Sequence, residues 1–296
     1  MTDAARPIRD GAFSLALGGG GGRGWAHLGV ARALDEAGLR PSLIVGTSMG
    51  AIVGAGLAAG FTPDAIEKVA RRTPVYRLVG RRAHLALFDP RPVLERMAAA
   101  MGDPRIEELP IRLAITTYDL AAGRAAAITS GRLVDAVERS IAVPLFFPPC
   151  RDGNGGVWCD AGPWESVPVS VARRLSPNPV IGVWVDIPKP GFLTARPVAA
   201  VLLGAARRLA SGAPHDRLTA RSYLALLTER WTEPVVHEEA DLMIHPRLGL
   251  TPAWQFSRIR QVAAIGYRDA RLALAEAGLA SSAPASAAQG KVTHAA

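Results

Sequence analysis

The pentapeptide Gly46-Thr47-Ser48-Met49-Gly50 combines residue types and spacing that point directly to chemistry. It is a Gly-x-Ser-x-Gly pattern that follows the apolar run Leu43-Ile44-Val45. In a nucleophile elbow, the glycines let the chain turn sharply from a strand into a helix, so that the serine hydroxyl projects from the turn. The amides and dipole of the following helix favour developing negative charge. We therefore predict that Ser48 is a nucleophile, and a glycine-rich turn without chemistry is the alternative.

A second glycine cluster, Gly18 to Gly24, follows the strand-like segment Phe13–Leu17 about thirty residues upstream. Consecutive glycines let backbone N–H groups converge on an anion, because no Cβ stands in the way. In a parallel sheet, the loops after both strands emerge at the same carboxyl edge. We therefore expect the first loop to supply an oxyanion hole for a carbonyl group attacked by Ser48.

The same loop also matches the Gly-x-Gly-x-x-Gly pattern of dinucleotide-binding proteins, through Gly19, Gly21 and Gly24. Such a site requires an acidic residue at the tip of the second strand to hold the ribose. That tip carries Gly46-Thr47-Ser48, so the dinucleotide interpretation is the weaker one.

Two residues are candidates for the base that Ser48 needs. Asp160 ends a predicted hairpin strand, and a carboxylate in an apolar pocket has its pKa raised toward the range of a general base. His245 ends the strand-like segment 241–245 and would complete a Ser48-Asp160-His245 triad. Asp160 as a simple turn cap is the alternative. His27, on the helix after the glycine loop, is expected to be a packed or capping side chain.

Four ordered motifs resemble those of the bacterial patatin-like phospholipases, a family of lipid acyl hydrolases with a Ser-Asp dyad. The family's Gly-Gly-Gly-x-Arg/Lys-Gly is similar to 19–24, and its Gly-x-Ser-x-Gly is similar to 46–50. Residues 140–149 resemble its Ser-x-x-x-Pro-x-x-Phe-x-Pro stretch. Asp160-Ala161-Gly162 stands where the family has Asp-Gly-Gly or Asp-Gly-Ala, and Pro168-Val169 matches the Pro-Val pair that follows. The resemblance covers the chain from about Phe13 to Gly278.

This resemblance implies a three-layer α/β/α sandwich with a largely parallel central sheet. It also implies a phospholipid or other lipid ester as substrate, and neither a metal nor a cofactor. The implied site residues are Ser48 as nucleophile, Asp160 as general base, Gly20, Gly21 and Arg23 in the oxyanion hole, and Gly19, Gly24, Gly46 and Gly50 as motif glycines.

The chain departs from the family pattern at two places. Ala161 replaces the glycine after the aspartate, and its Cβ restricts the backbone that positions Asp160. Trp164-Glu165-Ser166 stands where the family usually has an asparagine before Pro-Val. A catalytically weakened homologue that binds acyl lipid or a partner protein is therefore the second function hypothesis.

The composition fits one α/β domain. Of 296 residues, 49% are hydrophobic and 20% charged, as in an ordinary enzyme with a large core. We predict a catalytic domain over 11–279, a flexible N-terminus over 1–10 and a disordered tail over 280–296, with 61–110 and 195–235 as candidate cap segments. The sequence shows neither an apolar signal core nor a run of about eighteen apolar residues, which predicts a cytoplasmic protein.

The net charge of +8 is concentrated in two stretches, Lys68 to Arg82 and Arg207 to Arg230. Apolar residues accompany both stretches, so they are candidates for peripheral contact with an anionic membrane or for a mobile cap. A solvated basic face is the alternative. Nucleic acid binding is not expected, because no aromatic-basic motif accompanies the charge.

The two cysteines, Cys150 and Cys159, flank a predicted hairpin turn. Symmetric pairing about Asn154-Gly155 would place them opposite each other, so a cross-strand disulfide is conceivable. In a reducing cytoplasm we expect free thiols instead. Two cysteines alone do not fill a zinc coordination shell.

Overall fold

A mixed sheet forms the middle layer of the fold in the computed structural model, which describes residues 8, 12–73, 89–120, 122–143, 146–153, 155–185 and 239–280. Within these ranges the sheet has eight strands. They are β1 Phe13–Leu17, β2 Pro41–Thr47, β3 Arg112–Asp119, β4 Arg124–Ile128, β5 Cys150–Arg151, β6 Val157–Cys159, β7 Val180–Val183 and β8 Leu242–Ile244. Hydrogen-bonded neighbours run in the order β5-β6-β3-β2-β1-β7-β8, and β4 also pairs with β3.

The five strands β3, β2, β1, β7 and β8 are parallel, whereas β4, β5 and β6 pair in antiparallel fashion. The helices that cover this sheet are α1 Ala26–Glu36, α2 Met49–Ala58, α3 Pro63–Arg72, α4 Arg91–Met101, α5 Leu133–Ile141, α6 Val169–Leu175 and α7 Ile259–Glu276. Short 3-10 helices cover Gly21–Trp25 and Ile106–Glu108.

Both faces of the sheet are buried, which explains why its central strands are almost continuously apolar. Leu15 and Leu17 of β1 face one large core, to which α1, α2, α5 and α7 contribute. Ala16 of β1 and Val45 of β2 face a second core beneath α6. The alternation along each strand therefore divides its residues between two cores, and the predicted three-layer α/β/α sandwich is confirmed.

Two glycines let α1 and α7 pack closely in the larger helical layer. A Cβ at Gly29 would overlap the Ala263 carbonyl oxygen, and one at Gly266 would overlap that of Ala26. This contact ties the C-terminal helix to the helix that follows the glycine loop. None of the helices in the described ranges combines the length and apolar composition needed to span a bilayer.

Only part of the first candidate cap segment, 61–110, lies within the described residues. In the 61–110 segment, α3 lies against α1, where Arg32 forms salt bridges with Asp64 and Glu67. The 195–235 segment, with the second basic stretch, lies outside the described residues, as do residues 74–82 of the first stretch.

Candidate active site

Ser48 stands at the sharp turn between β2 and α2, as the elbow pattern predicts. Its φ of 55° and ψ of −117° are unusual, and among the described residues Asp103 is the one other non-glycine with positive φ. The flanking glycines are sterically required. A Cβ at Gly50 would overlap the Leu17 carbonyl oxygen, and one at Gly46 would lie 2.5 Å from the Gly50 oxygen. The backbone conformation of Ser48 costs about 1–3 kcal/mol, and such a conformation persists where the surrounding structure enforces it.

Ser140 fixes the backbone of this turn. The Ser48 N–H donates to the Ser140 Oγ over 2.9 Å, and Ser140 is fully buried. Ser48 itself is 8% exposed. Its Oγ makes no hydrogen bond with any described residue. The position of the hydroxyl is therefore set by the backbone of the turn. In the described part of the chain, no side chain forms a hydrogen bond with the Ser48 Oγ.

Asp160 reaches the same position in the sheet as Ser48. Tyr118 and Asp119 of β3 pair with both β4 and β6, so these two strands lie on opposite edges of β3. Ile115 and Thr116 of β3 pair with both β2 and β4, so β2 also lies on the edge of β3 opposite β4. The strands β2 and β6 therefore follow each other end to end along the same edge of β3. β2 pairs as far as Thr116 and β6 as far as Tyr118, which leaves Thr117 between them. Ser48 and Asp160 are each one residue beyond their strand, so both registers, continued by one residue, point to Thr117 from opposite directions.

The Asp160 carboxylate is held in a buried pocket. Asp160 is 3% exposed, and its backbone N–H donates to the Ala142 carbonyl over 3.1 Å. Its Oδ1 accepts the Gly162 N–H over 2.7 Å, so the side chain is fixed by its own turn. A Cβ at Gly162 would lie 3.0 Å from that Oδ1, closer than ordinary contact. Gly162 therefore leaves room for the carboxylate.

Ala161 fits this turn without backbone strain, because it is absent from the described non-glycine residues with positive φ. Its methyl group is fully buried in a small apolar cluster with Tyr118 and Cys159. Trp164, from the second departure in the motif, stacks on Tyr118 with ring centroids 3.7 Å apart. Both departures thus contribute to packing beside Asp160.

The glycine loop presents two free backbone donors. Gly20 and Gly21 have φ of 143° and 55°, a backbone that glycine adopts without a steric penalty. Their N–H groups donate to no described residue, whereas Gly19 N–H donates to the Ser166 carbonyl and Gly22 N–H to the Ala253 carbonyl. A Cβ at Gly19 would lie 3.4 Å from the Ser48 Cβ. The loop therefore runs beside Ser48 with the amides of Gly20 and Gly21 available.

Arg23 secures the far side of the glycine loop. Its guanidinium is buried and donates to the carbonyls of Val185, Gly249 and Thr251 over 2.6, 3.0 and 2.8 Å. These bonds connect the loop to the end of β7 and to the segment between β8 and α7.

His27 holds the near side of the loop, a role that motif reasoning missed. It is fully buried, and its Nε2 lies 2.8 Å from the Gly18 carbonyl oxygen, so Nε2 is the donor. Its Nδ1 is buried and has no partner among the described residues. Burial lowers the pKa of His27 to about 4 from an ordinary 6.5, and the bond to Gly18 opposes this only partly. His27 is therefore neutral at physiological pH.

His245 follows β8, the outermost described strand on this side of the sheet, and lies away from Ser48. The strands β7 and β1 separate β8 from β2, a distance of about 14 Å at the usual strand spacing. Its ring stacks on Trp184, with centroids 4.4 Å apart. Partial burial lowers the pKa of His245, and the Arg23 and Arg247 charges add to this effect. The arrangement does not bring together a Ser48-Asp160-His245 triad.

The two cysteines are free thiols, as expected, and the assumed hairpin register is wrong. Cys150 pairs with Trp158, not with Cys159. The one-residue offset directs the two cysteine side chains to opposite faces of the hairpin. Burial raises the pKa of Cys150 to about 12 and also raises that of Cys159. In the described ranges, no cluster of three His, Cys, Asp or Glu side chains is arranged to hold a metal ion.

The aspartate segment is also linked to the other two parts of the site, to the elbow through β3 and to the glycine loop directly. Thr117 Oγ1 donates to the Cys159 carbonyl over 2.9 Å, and Thr47 Oγ1 lies 2.6 Å from Thr116 Oγ1. Together with the bond from Gly19 to Ser166, these contacts join the glycine loop, the elbow and the aspartate turn. The site is therefore one connected unit of the sheet's carboxyl edge.

Known proteins share parts of this chain. A Mycobacterium tuberculosis protein described as an uncharacterised NTE family protein is 32% identical over 177 residues, which cover 59% of this chain and 47% of that protein. The human patatin-like phospholipase domain-containing protein 6 is 28% identical over 194 residues, which cover 60% of this chain and 14% of that protein. The chain thus spans about half the length of the mycobacterial relative and a smaller share of the human one.

The fold also has a solved counterpart. The crystal structure of VipD from Legionella pneumophila aligns with a TM-score of 0.50 at 13% identity, covering 90% of this chain and 66% of that one. The family model described as patatin-like phospholipase matches residues 15–173, which is more than half of the chain and includes the glycine loop, Ser48 and Asp160. The chain therefore belongs to the patatin-like phospholipase family.

Proposed function

We propose that this protein is a serine acyl hydrolase that cleaves ester bonds of phospholipids or related lipid esters through an acyl-enzyme on Ser48. The family supports the class of substrate. The observation that carries the proposal is the convergence of Ser48 and Asp160 on Thr117, along one edge of β3. A buried carboxylate and a strained, backbone-fixed serine at one point are the components of a Ser-Asp dyad.

In the proposed reaction, the Ser48 Oγ attacks the ester carbonyl carbon while the Asp160 carboxylate accepts the hydroxyl proton. The N–H groups of Gly20 and Gly21 stabilise the oxyanion that forms on the carbonyl oxygen. Collapse of the tetrahedral intermediate breaks the ester C–O bond, and the departing alcohol takes the proton from Asp160. Asp160 then removes a proton from water, which attacks the acyl-enzyme carbonyl. As the Ser48 Oγ–acyl bond breaks, Asp160 returns this proton to the Ser48 Oγ, and the fatty acid is released.

The environment of each group suits its step. The bond from Gly162 occupies one site on Asp160 Oδ1, and a carboxylate has further acceptor positions for the serine proton. We expect the Ser48–Asp160 hydrogen bond to form when an ester displaces water from the site, since catalytic hydrogen bonds often tighten on substrate binding. Arg23 contributes by holding the loop that carries the oxyanion donors.

A fluorophosphonate probe together with fatty-acid release from phospholipid vesicles tests this mechanism. Ser48→Ala should abolish labelling, and both Ser48→Ala and Asp160→Asn should lower release by at least about a thousandfold. Asp160→Asn is a matched change, because the amide oxygen still accepts the Gly162 N–H. His245→Gln is the control for a triad, and we expect it to retain labelling and release.

Loss of both activities in folded His245→Gln would refute the dyad. Labelling of a folded Ser48→Ala variant would refute Ser48 as the nucleophile. If the folded wild type neither labels nor releases fatty acid, the second hypothesis applies, namely a weakened homologue that binds lipid or protein. The unstrained backbone at Ala161 favours the active enzyme.

A further inference from the structure

The segment 245–258 between β8 and α7 presents large apolar side chains to solvent, and we name it the rim loop. Leu250 is 98% exposed and Trp254 is 77% exposed. The rim loop also carries Arg247 and Arg258 and has no acidic residue. Neither guanidinium forms a salt bridge with a described residue. A basic surface with a protruding tryptophan and leucine is therefore available beside the site.

The backbone of the rim loop is fixed, so these side chains do not protrude because the loop lacks structure. The Ala253 carbonyl accepts the Gly22 N–H over 2.6 Å, and the Phe256 carbonyl accepts the Trp25 Nε1–H over 3.2 Å. Arg23 binds two further carbonyls of the loop. All of these partners belong to the glycine loop or to the residues directly after it. The rim loop is thus attached to the part of the site that carries the proposed oxyanion donors.

The distribution of exposed apolar side chains points to this edge of the molecule. Single exposed apolar residues are ordinary on protein surfaces. However, three of the five large apolar side chains that are exposed in the described ranges lie on loops next to the glycine loop or to the residues that bind Asp160. Leu250 and Trp254 flank the glycine loop, and Phe146 follows Ala142, whose carbonyl binds Asp160. The remaining two, Val69 and Leu272, lie on helices α3 and α7.

We propose that the rim loop docks the protein on an anionic lipid bilayer, with Trp254 and Leu250 inserted at the headgroup level. Tryptophan favours the membrane interface, and adjacent arginines are attracted to anionic headgroups, whose phosphates they bind in bidentate fashion. Docking there sets the glycine loop and Ser48 against the lipid surface. The inference rests on the proposed function in one respect, namely that the membrane supplies the ester.

Binding is tested without turnover in the Ser48→Ala protein, by co-sedimentation with phosphatidylcholine vesicles and with vesicles that also contain phosphatidylglycerol. The double change Leu250→Ala and Trp254→Ala should lower partitioning about tenfold, because apolar insertion is lost. Arg247→Gln with Arg258→Gln should lower binding to the anionic vesicles and weaken its salt dependence. Leu272→Ala is the matched control, an exposed leucine on α7, and should bind like its parent.

Hydrolysis assays on variants that keep Ser48 separate membrane docking from catalysis. Leu250→Ala with Trp254→Ala should retain cleavage of a water-soluble short-chain ester and lose most fatty-acid release from anionic vesicles. The docking proposal is overturned if the parent does not bind anionic vesicles, or if the double variant binds them as well as Leu272→Ala does. Vesicle binding that depends on the rim loop in a protein that cleaves no ester would instead refute the proposed function and uphold the docking surface.

Discussion

The buried imidazole of His27 should make the stability of the protein depend on pH in a measurable way. In the folded protein its pKa is about 4, and in the unfolded chain it returns to about 6.5. Between these values the unfolded chain binds a proton that the folded protein excludes. The free energy of unfolding therefore falls as the pH decreases from about 6.5 toward 4.

The magnitude follows from the two pKa values. One pKa unit corresponds to about 1.4 kcal/mol, so the complete loss by pH 4 is about 3 kcal/mol. At pH 5 the unfolded imidazole is almost fully protonated while the folded one is mostly neutral, which gives a loss of about 2 kcal/mol. Above pH 7 neither state is protonated, and the contribution disappears.

Urea unfolding of wild type and His27→Gln between pH 7.5 and pH 5 isolates this contribution. The glutamine amide still donates to the Gly18 carbonyl but does not titrate. The difference in unfolding free energy between the two proteins should change by about 2 kcal/mol over this range. His245→Gln is the control, because His245 is less buried than His27 and should show a smaller change. A constant difference between wild type and His27→Gln would refute the burial argument.

Two further changes test how the elbow is built. Gly50→Ala places a methyl group against the Leu17 carbonyl oxygen and should destabilise the protein by about 2–3 kcal/mol in thermal unfolding, whereas Gly153→Ala, with open space around it, should be nearly neutral. Ser140→Ala removes the acceptor of the Ser48 N–H and should cost about 1–3 kcal/mol of stability together with part of kcat. Unchanged stability and kcat in folded Ser140→Ala would show that this bond does not fix the turn.

The layer architecture and most strands were predictable from the sequence, because both faces of the sheet are buried. The run 13–17 is apolar except for Ser14, the run 180–183 has no polar side chain, and the two runs coincide with β1 and β7. The elbow was predictable for a similar reason, since glycine at both positions is a steric requirement that leaves a trace in the sequence.

Contacts that depend on tertiary register were not predictable. The end-to-end arrangement of β2 and β6 along β3 directs the Ser48 and Asp160 turns to the same residue, Thr117, and no local pattern encodes it. The hairpin offset that separates Cys150 from Cys159 was missed because symmetric pairing about the turn was assumed. Ser140 and His27 bind backbone groups that lie 92 and 9 residues away along the chain, and their residue types alone do not predict such bonds.

The alanine after Asp160 has a consequence for how sequences in this family can vary. Its backbone does not require glycine, and its methyl group fills a small apolar site beside Tyr118. Mutation from glycine to alanine at this position is therefore open to neutral drift, whereas at Gly50 it is blocked by a carbonyl oxygen. A motif search that demands glycine after the aspartate would reject chains in which alanine fits this turn without backbone strain.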